Sequence, residues 1–176
     1  MAMELARLYE VLERTPAALR ALLGGVSDFW VHGHYGPDTF SPFDVVGHLI
    51  HGERADWMAR ARIILESGPA RPFDPFDRYA MYEASKGKTM DDLLATFAEL
   101  RSRNLAELKA LKLTAERLAL LGMHPALGPV TLGELLATWA AHDLNHLHQV
   151  AKAMAYQCKD EVGAWRAYLT ILPQVK

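Results

Sequence analysis

The sequence predicts an all-α chain, a four-helix bundle with a short C-terminal helix and extended inter-helix loops. Three observations predict it. Four long stretches repeat apolar residues at spacings of three and four. Three of them open on Ser or Thr with an acid three positions later, the reciprocal cap of a helix start. No stretch carries a convincing strand pattern, and connections of modest length suit a bundle.

Composition bounds the rest. The 176 residues suffice for one domain, 1–176, with a substantial core, and 51% hydrophobic content fits a folded chain. A net charge of −2 gives no electrostatic case for nucleic acid. Cys158 is the one cysteine, so no internal disulfide exists, which fits a reducing cytoplasm. The opening MAMELARLYE lacks a basic, then apolar, leader pattern, and no 18-residue apolar run exists. The expected protein is therefore cytoplasmic, without membrane or nucleic-acid partners. A small molecule is its expected substrate, and a homodimer stays open.

Residues 3–23 form the first helix, with Leu5, Leu8, Val11 and Leu12 on one face. Thr15-Pro16 marks either a fresh start or a kink within it. Gly24-Gly25 ends it. Residues 25–40 read as a loop carrying His32 and His34, to which a Gly-rich backbone gives no fixed geometry. Ser41, Pro42 and Asp44 cap a second helix running to about Glu66, with His48 and His51 on a broad apolar stripe. Gly47 and Gly52 beside His48 suit close helix packing, or room for something bulky. Residues 68–88 form a crossover long enough to run the length of a bundle, with one short helical turn.

Thr89 and Asp92 cap a third helix, Met90–Leu113, whose charged side reads as a solvated face. Residues 114–130 form a further connection, with His124 exposed in a loop. Thr131 and Glu134 cap the fourth helix, Thr131–Tyr156, about 39 Å long at 1.5 Å per residue. In the tail, Asp160–Leu172, the spacing of Trp165, Tyr168 and Leu172 is roughly helical and packs back on the bundle.

The fourth helix carries the chemistry. His142 and His146 lie on its apolar stripe with Leu132, Leu135, Trp139, Val150 and Ala153. Cβ atoms at i and i+4 are about 5–6 Å apart, so both imidazoles can close on one metal ion. Two core histidines, each hydrogen-bonded elsewhere, would show the same pattern. In a bundle, core metal sites draw on facing helices, which makes His48 the natural third ligand, with His51 its rival one turn on. His148 sits about 200° around the helix from His146 and should point away from the core.

The pattern SPFDVVGHLIHGE followed by HDLNHLHQV resembles the DinB/YfiT-like superfamily. That family has an early histidine in its second helix and an H-x-x-x-H pair, often followed by Gln, on its last bundle helix. The resemblance covers nearly the whole chain, including the Gly163-x-Trp165-Arg166 tail. It implies three metal ligands, His48, His142 and His146, with Gln149 in the Gln position, and it selects His48 over His51. It also implies a divalent metal, nickel or zinc first, with iron, manganese or cobalt as others. Some members resemble thiol transferases that use glutathione, bacillithiol or mycothiol. Here His146-Leu147-His148-Gln149 replaces the H-R-G-Q of some members, which leaves the subfamily open.

Other readings fit less well. His142-Asp143-x-x-His146 is one methylene short of H-E-x-x-H, and the shorter carboxylate is poorly placed for peptidase chemistry. A di-iron bundle needs Glu-x-x-His on two helices, and no second copy exists. No nucleophile elbow supports a serine or cysteine hydrolase. The expected function is thus a metal-dependent enzyme of the thiol S-transferase or hydrolase type acting on a small molecule, or a non-catalytic binder of metal or small molecules. Three protein ligands with an open position characterise a catalytic metal. Asp143 and Gln149 are candidates to orient the imidazoles, and Trp139 to wall the site.

Overall fold

The computed structural model describes residues 4–173. Helix α1 spans Leu5–Leu23, α2 Asp28–Val31, α3 Pro42–Ala55, α4 Trp57–Ser67, α5 Ala80–Ser85, α6 Met90–Ala110, α7 Ala115–Leu118 and α8 Leu132–Gln157. A β-hairpin, β1 Leu121–His124 and β2 Gly128–Thr131, precedes α8. All three expected capping boxes form. Ser41 and Asp44 open α3, Thr89 and Asp92 open α6, and Thr131 and Glu134 open α8. In each, a carboxylate accepts from the cap residue's N–H, at 2.9, 2.9 and 2.7 Å.

The four long helices form a ring in the order α1, α6, α3, α8. Cross-helix pairs give their directions. Arg20 meets Asp91 and Glu13 meets Lys109, so α1 and α6 run antiparallel. Glu53 meets Arg101 and, further along both segments, Arg62 of α4 meets Glu107, so α3–α4 and α6 run parallel. Parallel neighbours cannot be joined by a tight turn, and residues 68–89 supply the crossover. Among the described residues, no helix is long and apolar enough to cross a membrane.

Arg101, read from sequence as part of a solvated face, is instead 1% exposed at the bundle centre. Its Nε and Nη2 donate to Glu53 at 3.0 and 2.8 Å, and Nη1 and Nη2 to Asp143 at 2.5 and 2.9 Å. Nη1 also donates to the Leu12 carbonyl at 2.9 Å. That carbonyl is available because Pro16, four residues on, lies inside α1 and has no N–H to return to it. Helix α1 thus runs on through Pro16, and Arg101 takes the bond that the proline omits. Asn104 donates to Glu53 at 2.9 Å, and Trp139 Nε1 donates to the same carboxylate at 3.2 Å.

Four expectations are corrected. The second helix is not continuous to Glu66, because the backbone leaves helical dihedrals at Asp56 (φ −113°, ψ −81°). Trp57 then folds over Gly52, where a Cβ would lie 3.2 Å from its indole nitrogen. Residues 121–131 are a hairpin rather than a plain connection. It docks through Gly122, where a Cβ would come within 2.6 Å of Ile64 and 2.8 Å of Phe73. His124 is half-buried, not exposed, and its Nδ1 accepts from the Ala126 and Leu127 N–H groups to close the turn. In the tail, the helical turn is a 3-10 segment, Gly163–Tyr168, and Leu172 is buried while Trp165 and Tyr168 face solvent. Smaller differences are the turn of α2 within 25–40 and the end of α6 at Ala110.

The network yields a stability test. Arg101→Ala strands two buried carboxylates, and urea denaturation should show a loss of about 3–5 kcal/mol. Arg62→Ala, which breaks a solvent-exposed pair, should cost no more than about 1 kcal/mol. Equal losses would mean that Arg101 does not carry the interior.

Candidate metal centre

Helix α3 brings His48 to the core two turns after its Ser41 cap, and α8 brings His142 and His146 one turn apart. Close packing sets the approach of α3. A Cβ at Gly47 would lie 2.7 Å from Ser85 Oγ of α5, so the small residues beside His48 serve packing. His48 Nε2 lies 3.3 Å from His142 Nε2, which lies 2.9 Å from His146 Nε2. All three donor atoms fall within 4.8 Å of one another. Ligands sharing one ion through bonds of about 2.0–2.1 Å lie about 3–4 Å apart, the range in which the 3.3 and 2.9 Å pairs fall.

The surroundings keep these rings neutral. Burial, then the neighbouring His146 and His48, pushes His142 down to about 3. Burial, then His146, pushes His48 down to about 4. Burial also lowers His146. Neutral imidazole is the form that binds metal. All three Nδ1 atoms are buried without a partner at hydrogen-bond geometry. Three neutral Nε2 atoms converging on one point cannot all satisfy one another through protons, and a cation would satisfy them together. The donor set therefore fits a divalent ion.

The other candidates fall as follows. Trp139 is fully buried and stacks on Trp57, with centroids 5.7 Å apart and planes 9° apart. Trp57 is the residue that walls the centre, its ring 5.0 Å from that of His142. Asp143 gives both oxygens to Arg101 and accepts nothing from an imidazole. Gln149 lies beside His146 and favours its charged form, although Gln149 Oε1 and His146 Nδ1 remain outside hydrogen-bond geometry. His51 packs on Phe76 with centroids 4.7 Å apart, and His148 is exposed. His32 and His34 are exposed in their loop. Phe40 and Phe76 stand 5.7 and 5.6 Å from the His48 ring, and no periodic signal marked either of them.

A parallel-crossover four-helix bundle with three histidines converging at its core is the class that the fold and site define. The DinB superfamily profile matches residues 11–150, and the chain belongs to that superfamily. It is also similar in structure to YfiT from Bacillus subtilis, described as a probable metal-dependent hydrolase with an unusual four-helix bundle topology. That match has a TM-score of 0.73 and 23% identity, over 89% of this chain and 86% of that one, and it is a likeness of fold. No curated protein matches the sequence. The expected family and bundle are the ones found.

Neutral buried histidines impose a pH dependence. Their folded pKa values lie below the ordinary 6.5, so the unfolded chain binds more protons as pH falls below that value. The metal-free protein should therefore lose stability from pH 6.5 down to about 4 for His48 and about 3 for His142. Stability measured by denaturation in this window should fall more steeply for the native chain than for His142→Ala. Equal slopes would show that His142 is not held neutral.

Proposed function

We propose that the chain holds one divalent ion on His48, His142 and His146 and uses it to act on a small molecule, by hydrolysis or by transfer to a thiol. The convergence of three imidazoles, two buried and His142 half-buried, supports this reading most directly. Imidazole donors suit zinc and nickel, and also iron, cobalt or, less well, manganese. When bound, such an ion supplies a Lewis acid that polarises an electrophile. The solved relative's description favours the hydrolytic branch.

The chain's own residues do the rest. A cavity of about 250 Å³ borders the centre, lined by His142, Asp56, Trp57, Phe73, Leu127 and Thr138 among others. Its size suits a small molecule rather than a polymer. Trp57 and Phe73, both buried, form its apolar wall. Asp56 lines this cavity paired to Arg60 at 2.8 Å, and burial raises its carboxyl against that pull.

Purified protein should contain or take up about one divalent ion per chain by elemental analysis and calorimetry. His48→Ala, His142→Ala and His146→Ala should each weaken uptake by more than about 100-fold, and His51→Ala and His148→Ala should leave it nearly unchanged. Turnover on a panel of small esters, amides and thiol–electrophile pairs should vanish on chelation and return with metal. Stoichiometric uptake without turnover would support a binding protein instead. Failure of every metal to bind would sink the reading.

A further inference from the structure

The loop between α2 and α3 and the segment leading into α5 enclose a cleft of about 480 Å³ next to the three-histidine centre. Phe40, Arg78, Tyr79, Tyr82 and Asp38 are among its lining residues. Phe40 is the shared wall. Its ring lies 5.7 Å from that of His48 and 6.3 Å from that of Tyr82. The Arg78 guanidinium is stacked over Phe40 at 5.5 Å and over Tyr79 at 5.3 Å. Among the described residues, no carboxylate forms an ion pair with it within 4.0 Å. Its main-chain carbonyl lies beside the His48 ring, and its charge is felt at both His48 and His146.

We propose that Arg78 forms an anion subsite that takes the carboxylate end of a small molecule whose reacting group lies at His48, His142 and His146. The proposal rests on the metal reading above. Arg20, Arg60, Arg62 and Arg101 are each paired to an acid, whereas Arg78 is exposed and has no such pair among the described residues. Arg78 is held by two aromatic faces instead, which restrict its side chain while leaving its N–H fork open. A planar carboxylate matches that fork with two parallel bonds. A phosphate dianion would bring two charges to one arginine in a cleft that also holds Asp38, and one negative charge is the better match. Phe40 borders both, its ring 5.7 Å from that of His48 and 5.5 Å from the Arg78 guanidinium, so the subsite and the imidazoles flank one ring.

The test uses cobalt-loaded protein and two probes, succinic acid monohydroxamate and its neutral carboxamide analogue. The hydroxamate group engages the metal in both, so their difference reads the far end alone. Calorimetry should show the carboxylate probe binding about tenfold more tightly, an advantage that shrinks as salt rises. Arg78→Gln and Arg78→Ala should both abolish the preference, with cobalt affinity and carboxamide affinity unchanged. Cobalt uptake with no preference in the native chain, or a preference that survives in Arg78→Gln, would overturn the subsite and leave the metal reading standing. Absence of cobalt uptake would overturn the metal reading, and the subsite with it.

Discussion

The fold turns on one buried cation. A guanidinium has five N–H donors and no acceptor, and each of the five in Arg101 has a partner. The partners come from α1, α3 and α8, while the arginine itself comes from α6. Phe97 and Trp139 flank its plane, 4.9 and 5.1 Å from Cζ. Burial works hardest against its charge, and the Asp143 and Glu53 carboxylates overcome that and raise its pKa. Apolar side chains alone would tolerate several rotations of α8 about its axis. Five directed bonds are met by far fewer. Asp143 adjoins His142, and Glu53 lies five residues after His48, so turning these acids toward Arg101 also sets where the three imidazoles point.

The readable part of this arrangement was local. Ser41, Thr89 and Thr131 state their helix starts within four residues, because a capping box is a contact between positions i and i+3. His142 and His146 share a face for the same reason, at i and i+4. Arg101 is different. Its partners Glu53 and Asp143 lie 48 and 42 residues away, and on its own helix it is one more charge among alternating charges. Its third partner depends on a bond that Pro16 cannot make, and no spacing rule ties Pro16 to residue 101. The hairpin strands are four residues each, too short for alternation to show. The break at Asp56 has no proline, and Gly52 precedes it by a full turn.

The aromatic shell went unread for a related reason. The place of Trp57 beside His142 follows from the break at Asp56 and from the room at Gly52. Phe40 and Phe76 belong to connections, where no period predicts a direction. Yet these rings exclude water from the imidazoles, and that exclusion is the largest cause of their lowered pKa values. The site's electrostatics are thus set by residues that carry no chemical signature.

The Arg101 network also decides a chemical question that spacing had left open. His142-Asp143-x-x-His146 approaches the H-E-x-x-H pattern, in which the intervening carboxylate acts as a base. Side-chain length alone argued weakly against that role for Asp143. Its surroundings argue strongly. The carboxylate is 0% exposed, and both oxygens accept from Arg101. Freeing one oxygen for a ligand would strip a bond from a buried cation, a cost that falls on the whole core. Asp143 therefore belongs to the frame of the bundle. The other face of the centre is where His142 borders a cavity that it shares with Asp56.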